Sequence, residues 1–187
     1  MKNITKTLFL ILLNLFIISC DNNDDNESIL NTLKSNNGLS FNENLEKWNE
    51  LKIENGNSYT YKIRRSSVFG HTQTTTLVIQ NDKVIARSFE SYKPDLDSDD
   101  FNLILIETYD ENESNLGENT NGAELKLIED YYNDCSSEYL IVTTNNKIIT
   151  FSTSDSGIIT SCGYRDKRCA DDCFIGYTIS DFEWNKQ

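Results

Sequence analysis

Strict alternation of apolar and polar side chains, interrupted by tight polar turns, limits this chain more than any other feature. Tyr59, Tyr61 and Ile63 alternate with Thr60, Lys62 and Arg64, the period of a strand with one covered face. Two more β-rich runs, 74–80 and 84–90, flank Asn81-Asp82-Lys83, which predicts a hairpin. Further strands are expected over 101–109, 139–144, 147–153, 157–164 and 174–183, with a second hairpin turning at Asn145-Asn146. So short a turn joins only antiparallel neighbours, since a parallel return needs a long crossover. The sheet is therefore expected to be antiparallel.

Two segments leave the period of two. Ser40 with Glu43 three residues on has the spacing of a capping box, in which each side chain satisfies the other residue's free backbone N–H. Phe41, Leu45, Trp48 and Lys52, with Leu51 beside them, then recur at four and three. This predicts a helix over 40–54 that buries Leu45 and Trp48 and stops at Asn55-Gly56. Asn121 with Glu124 repeats the capping spacing, and Leu125, Ile128, Tyr132 and Cys135 recur helically, so a second helix is expected over 121–135. Residues 93–100, with the only proline and four aspartates, and 110–122 are expected to be loops. The expectation is one α+β domain: an antiparallel sheet built from hairpins with two helices packed on it. The order helix, strands, Asn-x-Lys hairpin occurs twice, and two hairpins in one sheet account for it without a duplication.

The N-terminus has the form of an address. Lys2 and Lys6 precede an apolar run from Leu8 to Ile18, broken only by Asn14. That is too short for a bilayer-spanning helix, which needs about 20 residues. Ile17-Ile18-Ser19-Cys20 resembles the lipobox of bacterial lipoproteins, with Ile in place of the commoner Leu at its first position. The resemblance implies cleavage before Cys20, a diacylglycerol on its thiol and a fatty acyl chain on its new amine. Two or three chains anchor stably where one is marginal. Asp21-Asn22-Asn23-Asp24-Asp25-Asn26-Glu27 resembles the acidic export tag of lipoproteins displayed on the outer face of the outer membrane. The expected division is a signal peptide over 1–19, a lipidated cysteine and acidic tether over 20–38, and one domain over 39–187. Membrane contact is expected through the lipid alone. With 17 Lys+Arg against 30 Asp+Glu and a net charge of −13, electrostatic binding to nucleic acid or to an anionic lipid surface is not expected.

Beyond the inner membrane, Cys135, Cys162, Cys169 and Cys173 are expected to form disulfides. Three connectivities are open. The expected one joins Cys162 to Cys173 across a hairpin loop and ties Cys169 to Cys135. The four cysteines lack the two close pairs of a zinc site, and no C-x-x-C redox pair occurs. No cofactor is expected apart from the lipid on Cys20.

Candidates for chemistry are few. His71, the only histidine, reads as a turn residue, because one histidine cannot build a two-histidine metal site. Asp95, Asp97 and Asp99 alternate like the opening of a calcium loop. Asp100 stands where that loop needs glycine, and Ile106 where it needs a bidentate glutamate. Asp171 and Asp172, held between Cys169 and Cys173, are a second calcium candidate. Paired carboxylates would also serve glycan hydrolysis, given the right separation across a cleft.

Two stretches resemble parts of an uncharacterised group of secreted bacterial proteins and lipoproteins. One runs from Trp48 through Asn57-Ser58-Tyr59-Thr60-Tyr61 to Val84. The other is Ser161-Cys162-Gly163-Tyr164 with Cys169-Ala170-Asp171-Asp172-Cys173-Phe174 and Gly176. The resemblance implies a shared fold and no activity. The functional expectation is a non-enzymatic module on the cell surface that binds an extracellular or envelope ligand. A periplasm-facing structural lipoprotein and a carboxylate-based glycan hydrolase are the alternatives.

Overall fold

The computed structural model describes residues 29–97, 102–142, 145–171 and 173–185; Cys20, the segment 21–28, Asp99 and Asp172 lie outside them. The described residues form an α+β fold. After one helical turn at 29–32 come α1 (Phe41–Asn55), β1 (Tyr59–Ser66), β2 (Thr72–Gln80), β3 (Lys83–Pro94) and β4 (Leu103–Asn112). There follow α2 (Ile128–Asp134), a π-type turn at Cys135–Tyr139, β5 (Lys147–Thr153), β6 (Ile159–Asp166) and β7 (Ile175–Trp184). The sheet order is β4-β3-β2-β1-β7-β6-β5, with every neighbouring pair antiparallel.

Local chemistry sets most of these elements. The Ser40–Glu43 capping box forms as expected: the Glu43 amide donates to Ser40 Oγ at 3.3 Å, and the Ser40 amide to Glu43 Oε2 at 2.7 Å. Gly56, at φ +86°, ends α1. The β2–β3 turn has two central residues, Asn81 and Asp82, both left-handed at φ 50° and 58°. That conformation matches the twist of a two-residue hairpin.

Both helices cover one sheet face. Trp48 stacks on Trp184 at 5.5 Å and meets Tyr59 edge-on at 5.4 Å. Tyrosine hydroxyls tie the helical segment to the sheet: Tyr61 donates to Lys126 O at 2.5 Å, Tyr177 to Tyr131 O at 2.6 Å and Tyr132 to Gly157 O at 2.8 Å. Burial pushes all three phenols far up, so they stay neutral donors. Lys52 joins Asp82 of the first hairpin, at 2.6 Å, to Glu129 of α2.

A buried ion pair fastens the long polar loop. Arg87 and Glu111 meet in a two-pronged contact at 2.8 and 2.9 Å, with side chains 5% and 0% exposed. The remaining lone pairs of Glu111 accept from the amides of Gly117 and Asn119 and from Asn119 Nδ2. Arg87 donates onward to Ala123 O and Asn119 O. The Arg87 guanidinium holds the Glu111 carboxyl at about 2.

Three expectations need correction. The second helix begins at Ile128, not Asn121, with Asp130 bonding back to the Leu127 amide at 2.7 Å. Asn121 is taken by Glu107, at 2.7 and 2.9 Å, and Gly122 at φ +89° turns the chain away from a helical path. Residues 139–142 do not form a strand. The chain leaves the π-type turn with Cys135 bonded to Cys162 and Tyr139 packed on Tyr177, and the second hairpin is β5–β6 instead. Third, the disulfides are Cys135–Cys162 and Cys169–Cys173, with Cα atoms 5.7 and 6.1 Å apart. Cys162 points into the core under the π-type turn, out of reach of the loop it was expected to close.

Candidate functional site

β7 is a diagonal strand that changes partners. Its first half pairs with β6, from Tyr164↔Ile175 to Ser161↔Thr178. Its second half pairs with β1, from Ile63↔Ile179 to Tyr59↔Trp184. The switch has two physical causes. Gly163 and Gly176 face each other, and the strands approach so closely that a Cβ on Gly176 would lie 2.1 Å from Cys162 O. Beyond them β7 bulges, with an extra residue near Asp181, which sits at φ 50°. A bulge bends its strand and increases its twist.

Above Ile63↔Ile179 the strands part. Continuing the register would set Arg64 against Thr178 and Arg65 against Tyr177, but neither pair forms. The result is a wedge-shaped cavity of about 770 Å³. One wall is residues 64–66 of β1 and the other is residues 175–178 of β7, with the Cys169–Cys173 loop at the rim. A smaller cavity, about 320 Å³, shares Arg65, Tyr139, Gly176 and Tyr177 with the wedge and continues toward Lys126 and Asp134.

The wedge is cationic in an acidic protein. Of the five arginines in the chain, Arg64, Arg65 and Arg165 line it. Strand alternation puts Arg64 and Arg165 on the sheet's outer face, opposite Tyr61 and Cys162, whose side chains are buried under the helices. Arg64 shares Asp181 with Lys62, at 3.1 and 3.4 Å, with the three side chains about half exposed. Such surface pairs contribute about 0–1 kcal/mol and exchange readily. Neither Arg65 nor Arg165 makes an ion pair or side-chain hydrogen bond with a described residue. Lys126 first, and Arg65 more weakly, hold the Glu124 carboxyl below its usual range. On the helix side Tyr139 and Tyr177 pack at 6.0 Å, and Phe174 and Ile175 are 40% and 50% exposed at the rim.

The residues singled out in sequence scatter differently. Asp171 lies on the rim of the wedge, exposed beside the Cys169–Cys173 disulfide. Asp95 accepts from the Asp97 amide at 3.2 Å in an exposed turn. Among the described residues no group of three or more His, Cys, Asp or Glu side chains converges as a metal site would require. His71 is exposed in the β1–β2 turn, its carbonyl accepting from the Ser67 amide at 2.9 Å. Four described carboxyls are displaced, Glu43, Glu111, Glu124 and Asp166, and all move down. A general acid needs the opposite shift.

The arginines escaped the sequence reading because net charge averages over the whole surface. The signal that could have found them is local: Arg64-Arg65 and Arg165-x-Lys167-Arg168 are compact basic runs in a chain otherwise rich in acid. Comparison of the chain with protein-family models, curated proteins and solved structures finds no match.

Proposed function

We propose that the protein is a bacterial envelope lipoprotein, anchored in the outer membrane through acyl chains on Cys20 and displayed at the cell surface, whose domain binds an anionic ligand in the wedge between β1 and β7. The observation that carries the binding reading is the gathering of Arg64, Arg65 and Arg165 around one cavity in a chain of net charge −13. Guanidinium groups gathered in a concave site attract an anion and hold it with charge-assisted hydrogen bonds.

The described residues 36 and 37 and the wedge lie at opposite ends of the sheet. Asn36 and Asn37 bond to Thr153 and Ser154 at the β5–β6 turn, whereas the wedge opens at the far ends of β1 and β6. A strand of eight residues separates them, roughly 26 Å. The wedge mouth therefore lies at the end of the sheet away from residues 36 and 37.

Three experiments test the proposal. Palmitate labelling of cells should mark the wild-type chain and not Cys20→Ala, and protease added to intact cells should remove the domain. Protection until lysis would refute surface display. A fluorescent sulfated oligosaccharide, used as a generic polyanion, should bind the purified domain and lose at least tenfold in affinity on Arg65→Ala/Arg165→Ala. Unchanged affinity in that variant would refute the site.

A further inference from the structure

We infer that the occupant of the wedge is an extended acidic peptide, which adds as a strand to the free edge of β1 at residues 64–66. This rests on the anion-site reading above and narrows it to one ligand class. Both walls are strands: residues 64–66 pair with β2 on one side, and residues 175–178 pair with β6 on the other. Between them no ladder forms, so alternate residues of each wall present backbone N–H and C=O groups to the cavity. Unpaired edges of this kind are templates for another strand. A sugar or a free phosphate meets the arginines, but only a peptide backbone complements the regular donor–acceptor row as well.

The side chains of the walls specify the pattern of that peptide. Arg64 and Arg165 flank the wedge on the outer face, whereas Tyr139, Tyr177 and Ile175, together with Arg65, flank it on the helix face. A strand alternates its side chains between the two faces. A peptide with carboxylates at every second position and apolar residues between them therefore sets its carboxylates on Arg64 and Arg165 and its apolar residues on Tyr139, Tyr177 and Ile175. The binding end is fixed by two covalent or steric devices, the Cys169–Cys173 loop at the rim and the Gly163–Gly176 contact beneath it.

The test uses the chain from Asp21 onward, which retains every described residue. The probe is an acetylated, amidated hexapeptide of alternating glutamate and valine. Two controls accompany it: the same peptide with glutamine for glutamate, and the glutamate peptide N-methylated on alternate backbone amides, in both phases. The glutamate peptide should bind and slow amide hydrogen exchange at residues 64–66. The glutamine peptide, one phase of the N-methylated peptide and the Arg165→Glu variant should each lower affinity at least tenfold. Arg165 is exposed and makes no ion pair or side-chain hydrogen bond with a described residue, so its replacement should leave the fold intact, which circular dichroism checks. Equal binding of both N-methylated phases would overturn strand addition while leaving the anion site standing. So would binding of the sulfated oligosaccharide without the peptide. Failure of every polyanion would overturn both readings. Exchange protection at residues 64–66 in the free chain, lost on neutralising Asp21, Asp24, Asp25 and Glu27, would overturn a foreign peptide in favour of the chain's own acidic segment.

Discussion

The Arg87–Glu111 pair yields the sharpest prediction about stability. Glu111→Gln keeps the size of the side chain and removes its charge. In the wild type Glu111 accepts five hydrogen bonds, two from Arg87, one each from the amides of Gly117 and Asn119, and one from Asn119 Nδ2. The glutamine must turn an NH₂ toward one of these donors, leaving a guanidinium 5% exposed without its counter-charge. Charge-assisted hydrogen bonds are worth about 1.5–3 kcal/mol each. Removing one partner of a buried pair costs about 3–5 kcal/mol. The two routes agree, and for a domain of this size the loss corresponds to a fall in Tm of roughly 6–20 °C. Arg87→Met combined with Glu111→Leu removes both charges and should cost less than the sum of the single changes by at least about 2 kcal/mol. The assay is urea denaturation followed by the fluorescence of Trp48, in the core cluster, and Trp184, packed against it. A loss below about 1 kcal/mol for Glu111→Gln, on the scale of an ordinary surface change, would refute the assignment of the pair as the clasp of the 113–122 loop. An additive cycle would do the same.

The same carboxyl gives a pH dependence. Its value is lowered from 4.5 to about 2 in the folded chain. Its stabilisation is therefore complete above the unfolded value and is lost as pH falls from about 4.5 toward 2. The stability gap between wild type and Glu111→Gln should shrink across that window, and a gap constant down to pH 2 would contradict the shift. The disulfides should differ in weight. In the loop-closure model, Cys135–Cys162, separated by 27 positions, contributes about 3.6 kcal/mol, and Cys169–Cys173, separated by 4, about 2 kcal/mol. Denaturation midpoints of the two double-alanine variants should fall in that order, and the reverse order would refute the assignment. Gly176→Ala should destabilise by several times the roughly 1 kcal/mol expected of Gly38→Ala. Both glycines have positive φ, but only at Gly176 does a Cβ strike backbone, whereas Gly38 has nothing within 4 Å. Equal midpoints for the two variants would mean that β6 and β7 can part there at little cost.

What was legible in sequence depended on short range. The alternation of Tyr59, Tyr61 and Ile63, the Ser40–Glu43 box and the Asn81-Asp82 turn each rest on residues a few positions apart, and their geometry follows from dihedral preference and local hydrogen bonding. The second helix misled for an equally physical reason. Asn121 and Glu124 had the spacing of a cap, but Glu107, fourteen residues earlier and across the loop, claims the Asn121 side chain.

The α+β class, the antiparallel sheet and the membership of four cysteines in disulfides were thus decided by sequence alone, through period, turn chemistry and parity of count. Which cysteine meets which was decided by the tertiary structure, because Cys162 on β6 faces the core beneath the turn after α2. So was the candidate site. It depends on β1 meeting β7 at Ile63↔Ile179 and separating beyond it, and on Arg64 and Arg165, a hundred residues apart, reaching one cavity. Such contacts are set by close packing of the whole core, where a glycine pair and one bulge redirect a strand, and no window of neighbouring residues contains that information.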